Sequence, residues 1–497
     1  MDIMVSEKLR LVEKLPVVEK IGYSLGDLAA NLIFQSLVTF LAFFYVDVYG
    51  ISPATAAAII AAGGIVGTVA APVMGVIADR THTRWGHFRP WLLWTAVPFG
   101  GIALLAFSTP HFSEQGKVVY ALATYMGLLA VYAANNVPYS ALSGVLTGNM
   151  ADRNSLSSYR FMAVMFAQFV VQVLLLPLVL ILGRGDKVVG FHNTMMLFST
   201  VGILCFLISF LTTRERVRSR SQRSTIGQDI ADLVRNRPWI VMLIVTLLVF
   251  ITLALKGGMY IYYFRSYLRA PALAGFLRDI GFDQGISALN AGLTRLGLTE
   301  FTWPKDAATS AFSLFNAGSI AMMIVGIGFS KKLGDMLGKR LVFGSCLFLS
   351  TLFLLSFYCF APYEVGYVFA AQMLHSVCYG ITIPLLWAMI ADVADYSEWK
   401  NNRRATAIVF SAITLGLKAG LTIGSTLLTV ILARYGYDAA APVQSPQTVR
   451  GIQLAVSVFA SLPFIVATVC IFFYGIDKKM ERRLESDLVS RRTAAFS

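Results

Sequence analysis

The apolar residues of this chain neither alternate nor trace one stripe per helix. They gather into twelve long runs separated by short polar segments, at approximately 24-48, 53-78, 91-109, 117-145, 157-182, 191-212, 238-264, 307-329, 341-361, 364-391, 404-435 and 450-475. Crossing a bilayer takes about 20 mainly apolar residues in a helix. Each run is too long for a barrel strand and lacks sustained in-out alternation. The pattern predicts an all-α integral membrane protein with twelve transmembrane helices in two six-helix bundles.

The longest polar break near the middle, 213-237, contains R-E-R-V-R-S-R-S-Q-R-S and divides the spans six and six. The expected organisation is an N-terminal bundle over 1-212, a cytoplasmic linker over 213-237, a C-terminal bundle over 238-475 and a cytoplasmic tail over 476-497. An insert of mixed apolar and charged residues with Gly-rich turns, about 265-306, falls on the extracytoplasmic side, where it caps a cavity or covers helix ends. A basic loop follows the second run (79-89), and a similar one, S-K-K-L-G-D-M-L-G-K-R at 330-340, follows the eighth. Such parallel six-helix repeats are the arrangement of major facilitator transporters.

Composition agrees with this class. Of 497 residues, 57% are hydrophobic and 14% charged, more apolar than one soluble core requires. The net charge of +14 sits in short clusters between apolar runs, which argues for membrane topology and against nucleic acid. About two thirds of the 41 Lys and Arg residues fall in alternate segments that include both ends of the chain, so both termini are expected in the cytoplasm. The five cysteines lie inside apolar runs without C-x-x-C spacing, which suggests neither disulfides nor a metal site. No cofactor is expected. The first twenty residues mix both signs of charge, unlike a cleavable signal.

The stretch 63-91 anchors the topology. Gly63, Gly67, Ala71 and Gly75 share one helical face where a neighbour can approach closely, and Arg80, Arg84 and Arg89 follow in a cytoplasmic loop.

Polar residues inside spans are costly and tend to face a cavity or a partner. Asp27, Asn31 and Gln35 recur every four residues on the first helix. Tyr132, Asn135, Asn136 and Tyr139 follow i, i+3, i+4, i+7 on the fourth, and Arg160, Gln168 and Gln172 share a face of the fifth. Lys256, Tyr260 and Tyr263 do so on the seventh, and Thr414, Lys418 and Thr422 on the eleventh. Five such faces bearing one carboxylate and three cations predict a wet cavity. Hydroxyls, carboxamides and charges interleaved with tyrosines suit a polyhydroxylated ligand. The candidate substrate-binding residues are Asp27, Asn31, Tyr132, Asn136, Tyr139, Arg160, Lys256, Thr414 and Lys418.

The loop R-W-G-H-F-R-P-W at 84-91, with A-D-V-A-D-Y-S-E-W-K at 391-400 and N-N-V-P-Y at 135-139, resembles the melibiose-permease-like glycoside-pentoside-hexuronide:cation symporter family of the major facilitator superfamily. The similarity runs over nearly all the chain outside the insert and tail. It implies a twelve-helix fold, alternating access and a sugar site between the halves. It also implies that Asp27 is the family's sugar-binding carboxylate, Arg160 its cavity arginine, Lys418 its eleventh-helix lysine and Tyr132 its fourth-helix aromatic.

Departures from the family pattern bear on coupling. Sodium-coupled members carry Asp, three residues, Asp, then Pro on the second helix; here Gly67 and Ala71 precede Pro72. A further Asp before the fourth-helix proline is Asn136, and a Trp after it is Ser140. Sodium prefers anionic oxygen ligands. The expectation is therefore a sugar or glycoside transporter coupled to protons, with Asp27 the proton-coupling candidate. A formal excess of two positive charges would favour a uronide if all three cations face the cavity. Asp79, Arg84, Asp392, Asp395 and Arg403 are candidate gating charges, the acids after the tenth helix pairing with cations beside them such as Arg403 and Arg404. An uncoupled facilitator, a lipid flippase of the same fold and a transport-inactive sugar sensor are the alternatives. Gly22 to Gly26 matches the letters of a nucleophile elbow and 334-339 approaches a P-loop, but neither has the needed context, so no enzyme is expected.

Overall fold

The computed structural model describes residues 15–147, 150–216, 235–295, 303–401 and 406–494, and within them all regular structure is helical. Compact packing divides the chain into two units, Met1–Ser221 with Phe301–Lys305, and Gln222–Glu300 with Asp306–Ser497.

The first unit holds α1 (Val17–Phe43), α2 (Pro53–Asp79), α3 (Arg89–Ala106), α4 (Glu114–Leu146), α5 (Met150–Phe169), α6 (Leu175–Leu182) and α7 (Lys187–Thr212). A π-helical turn, Val170–Leu174, joins α5 to α6 into one span. The second holds α8 (Arg237–Tyr262), α9 (Ala270–Asp279), α10 (Phe282–Arg295), α11 (Ala307–Leu337), α12 (Lys339–Leu355), α13 (Val365–Asn401), α14 (Thr406–Arg434), α15 (Pro446–Leu454), α16 (Ala460–Cys470) and α17 (Lys478–Ala494). Another π-helical turn, Ala455–Phe459, joins α15 to α16.

Eleven of these helices are long and apolar enough to cross a membrane. The twelfth expected run is α3, whose eighteen residues still reach about 27 Å. Its Arg, Thr, prolines and glycines dilute its hydropathy, which is why it falls outside the eleven.

The boundaries have local causes. Ser52, Asp186, Asn236, Asp306 and Ser445 accept backbone N–H bonds as N-caps of α2, α7, α8, α11 and α15. Gly338, at φ +92°, ends α11 in a conformation that favours glycine. α11 runs past its apolar run to a stop at Gly338, and α13 past its own through Asn401, because a helix can continue into the interface beyond its apolar residues.

The internal repeat reaches packing. In the first unit α1 packs on α5 and α7, α4 on α2 and α3, and α3 on α7. In the second, α8 packs on α14 and α16, α13 on α11 and α12, and α12 on α16. The two lists match span for span. The first span of each unit also ends in a π-helical turn, Phe44–Val48 and Tyr263–Tyr267.

Small residues set the close approaches. A Cβ on Gly63 would stand 2.2 Å from the Tyr125 ring of α4, whereas one on Gly67 would meet Leu129 at an ordinary 3.5 Å. The predicted α2 seam is therefore tight at one end only. In the second unit, Gly416, Gly420 and Gly424 of α14 lie against Leu243, Leu247 and Ile251 of α8, and Gly326 and Gly380 bring α11 and α13 into backbone contact.

Two boundaries differ from expectation. Residues 213–216 belong to the first bundle: the Arg216 N–H bonds the Val145 carbonyl at 2.9 Å and its guanidinium grips Glu19. Residues 217–234 of the expected linker lie outside the described residues, and its last residue, Arg237, already opens α8. The insert holds α9 and α10; Leu273 is buried, and the Phe276 ring sits 4.6 Å from Phe369 of α13. α9 thus covers helix ends of its own unit. α17 is docked as well, with Leu484 buried and Asp487 accepting from the Trp399 indole at 3.0 Å.

Candidate functional site

In the first unit the polar faces of α1, α4 and α5 meet at Asp27. Its carboxylate accepts from Arg160 Nε at 2.5 Å and from Nη2 at 3.4 Å, although the two residues are 133 positions apart. The Asp27 side chain is 6% exposed and that of Arg160 28%, so the pair is desolvated on the Asp side and reachable on the Arg side.

Two tyrosines fix its position. The rings of Tyr23 and Tyr139 stack at 4.5 Å. The Tyr23 hydroxyl donates to the Tyr139 carbonyl at 2.8 Å, and the Tyr139 hydroxyl donates to the Tyr23 carbonyl at 2.6 Å while accepting from the Asp27 N–H at 3.1 Å. Both rings are fully buried, and the guanidinium of Arg160 lies 5.6 and 5.4 Å from their centroids, within cation–π range. Gly26 makes this possible, since a Cβ there would stand 2.4 Å from the Tyr139 ring.

Asn31 sits one turn on and donates to the Asp27 carbonyl at 2.9 Å. Tyr132 stacks on Phe34 at 5.1 Å, and Asn136 stands half-buried one turn from it on α4. Asn135 faces the other way, buried and bonded to Thr95 of α3 at 2.7 Å. Asp27, Asn31, Tyr139 and Arg160 are therefore brought together. Tyr23 belongs to the same cluster and was legible: it extends the i+4 stripe of α1 one turn back.

In the second unit Lys256, on α8, is 6% exposed and its ammonium is hydrogen-bonded to Nε2 of His375 on α13. Thr414 is exposed and Lys418 half-buried on α14. The glycine seam matches Gly420 to Leu247 and Gly424 to Ile251. That register sets Lys418 level with about residue 245, eleven residues or roughly 16 Å down from Lys256. These two cations do not share a site. His375 was missed, yet Gln372, His375, Ser376 and Tyr379 repeat on α13 the i, i+3, i+4, i+7 spacing of α4.

Charges cluster where helices leave the apolar zone. Asp392 pairs with Lys339 of α12 at 2.6 Å, with Glu481 of α17 at 3.9 Å from the same ammonium. The expected partners Arg403 and Arg404 lie outside the described residues, as does the side chain of Asp79. Arg84 stacks over Trp85 at 4.6 Å; Asp395 stands half-buried one turn after Asp392. In the first unit Lys20 pairs with Asp152 at 2.8 Å. Glu215 accepts the N–H groups of His87, Phe88 and Arg89 at 2.9, 2.7 and 2.8 Å, capping α3 from a residue distant in sequence. Its carboxyl fills the space a Cβ on Gly86 would need. Glu215→Ala leaves three N–H donors and a helix dipole uncapped. A loss of about 1–2 kcal/mol is expected, visible as faster hydrogen exchange at 87–91 with α2 unchanged.

Among the described residues no group of three or more His, Cys, Asp or Glu is placed to hold a metal ion.

Paired six-span units with charged and aromatic clusters inside their spans define a membrane transporter of the major facilitator class. The model of the MFS/sugar transport protein family matches residues 22–289 and 298–478, and the chain belongs to that family. It is 31% identical over 485 residues to the putative glycoside/cation symporter YagG of Escherichia coli (strain K12), covering 97% of this chain and 96% of that one. It is 32% identical over 457 residues to the inner membrane symporter YicJ of the same organism, covering 91% and 90%. Among solved structures it is similar to a bacterial homolog of the human lysosomal transporter Spinster, with a TM-score of 0.61, 12% identity and coverage of 92% and 95%. That last likeness concerns the fold alone.

Proposed function

We propose that this protein is a secondary transporter that carries a sugar or glycoside in symport with a proton. The observation that carries the reading is the Asp27–Arg160 pair held against Tyr23 and Tyr139 inside the spans of the first unit. A carboxylate and a guanidinium offer paired acceptors and donors to vicinal hydroxyls, and Tyr132 offers a face to the C–H side of a ring. Asn31, Asn136, Tyr139, Thr414 and Lys418 are the further candidate ligands. The name of YagG, a putative glycoside/cation symporter, supports the substrate class and coupling to a cation.

A neutral glycoside is the substrate class proposed. The Asp27–Arg160 pair is neutral as a unit and Lys256 is turned to His375, which lowers the formal excess from two positive charges to one and weakens the draw on a uronide. Uptake of a panel of neutral and acidic glycosides into proteoliposomes tests this. Neutral glycosides should displace label at lower concentration than uronides; the reverse order would reject the class, and no uptake of any member would reject sugar transport.

Proton rather than sodium is the proposed ion, with Asp27 exchanging proton for substrate. Gly67 and Ala71 stand where sodium-coupled members of the resembled family place carboxylates, and Gly67 faces Leu129, an apolar neighbour. Wild-type uptake should be unchanged when sodium is replaced by choline. The Gly67→Asp/Ala71→Asp variant should acquire sodium stimulation, which parallel uptake assays in the two salts would register.

Asp79, Arg84, Asp392, Asp395 and Arg403 are proposed to hold the cytoplasmic ends of the helices closed in one state, with Lys339 the partner of Asp392. The protein is proposed, on the same reading, to be a bacterial-type inner-membrane protein with both termini cytoplasmic and transport, not catalysis, as its activity.

A further inference from the structure

The interior of the second unit holds two bases bonded to each other. Lys256 stands near the middle of a 31-residue span, Arg237–Tyr267, eleven residues or roughly 16 Å from its end, so its ammonium cannot reach an interface. It is bonded to His375 Nε2, and His375 is 1% exposed. The other ring nitrogen, Nδ1, lies 2.9 Å from the Ser350 carbonyl oxygen and 2.9 Å from its Oγ.

A carbonyl oxygen only accepts, whereas the Ser350 hydroxyl can accept or donate, so a protonated Nδ1 is the state that satisfies both contacts. That leaves Nε2 to settle the charge of the pair. If Nε2 bears a lone pair, Lys256 donates to it; if Nε2 is protonated, the lysine must be a neutral amine to accept. The hydrogen bond therefore admits one positive charge on the pair and not two.

Among the described residues the surroundings hold no counter-charge. The Tyr379 ring of α13 centres 5.7 Å from the ammonium, the His375 ring lies 6.3 Å from that of Phe464 on α16, and Tyr260 of α8 is spent on Gln372 at 2.9 Å. Cys346 on α12 and Cys378 on α13 are the nearby thiols, and Lys418 of α14 lies far down the register. α11 carries charges only in its last two turns, Lys331, Lys332 and Asp335. The described acidic residues between Asp279 and Asp438 all fall in loops or within three turns of a helix end. A permanently charged ammonium in such a place is expensive. A group that loses its charge during the cycle avoids that cost in one of its states.

We propose that Lys256 and His375 form a single proton-binding site, distinct from Asp27, that takes up one proton from water and returns it to water as the transporter cycles. The proposal rests on the proton-symport reading. It assigns Lys256 to the proton and His375 to positioning and sharing it.

His375→Gln is the informative variant, because the amide can donate to the Ser350 carbonyl and accept from Lys256 while having no basic nitrogen. In proteoliposomes it should retain sugar counterflow, which moves no net proton, within about threefold of wild type. Accumulation driven by an acid-outside gradient should fall to the equilibrium level. Exchange and accumulation both retained would overturn the proposal. So would wild-type accumulation that does not respond to the pH gradient while counterflow persists, which leaves sugar transport standing.

A readout independent of transport is ¹⁵N NMR of the full chain labelled at His and Lys. His375 should show a protonated Nδ1 and a bare Nε2, and should shift in one step with the Lys256 amine between pH 5 and 10. In Lys256→Met that shared step should vanish. A protonated Nε2 with a bare Nδ1, or a flat response in wild type, would refute the site even if sugar uptake failed altogether.

Discussion

Asp27→Asn should reduce sugar uptake by at least about a hundredfold and lower the thermal stability of the purified protein. Removing one partner of a buried ion pair costs about 3–5 kcal/mol, because the remaining charge is left without compensation. Each 1.4 kcal/mol is about a factor of ten in an equilibrium. Arg160→Leu should do the same from the other side. Arg160 also rests on Tyr23 and Tyr139, so losing its anchor frees a guanidinium into the polar face of the first unit. The neutral double variant, Asp27→Asn with Arg160→Met, should recover most of the stability and none of the uptake. Recovered uptake in the double variant would make the pair a structural strut.

Gly326→Val should be among the most damaging changes outside the candidate site. A Cβ on Gly326 would lie 2.2 Å from the Val377 carbonyl oxygen, and one on Gly380 would lie 2.2 Å from that of Met323. Both obstacles are helix backbone, which cannot rotate aside, so α11 and α13 would have to separate along the whole seam. Overpacking typically costs about 1–3 kcal/mol, and a backbone obstacle sets this case at or above that limit. Loss of monodisperse protein on extraction is the expected outcome, with Gly380→Val equivalent. Gly67→Ala provides the contrast, since its Cβ meets Leu129 at 3.5 Å and stability should change by less than about 1 kcal/mol. Equal effects at Gly67 and Gly326 would show that the α11–α13 contact is looser than described.

Span positions were legible because a spanning helix must be continuously apolar for about 20 residues, and no alternative structure has that requirement. Helix ends were less so. α13 continues to Asn401 through Asp392, Asp395 and Glu398, since interfacial helices tolerate charge and a hydropathy pattern sees only where apolar residues stop. The stripe on α1 showed which face of that helix is polar. It could not show that Arg160, 133 residues away, completes the pair, because partner choice depends on how α1 and α5 cross.

The same limit explains Lys256. Sequence places it on a polar face with Tyr260, which is compatible with a ligand-facing cation. The residue opposite is His375, and that juxtaposition depends on packing between α8 and α13. Glu215 is a further instance: inside an arginine-rich segment it reads as one acid among bases, while in the fold it caps α3 through three N–H groups. Chemistry carried within one helix was visible, and chemistry assembled across helices became visible only with the fold.

The most direct test of the account is the pH change inside proteoliposomes, loaded with an internal pH dye and free of sodium, when a neutral glycoside is added outside. Proton symport predicts internal acidification that tracks sugar entry and is absent in Asp27→Asn. Sugar entry without acidification, or entry that requires sodium, would contradict it.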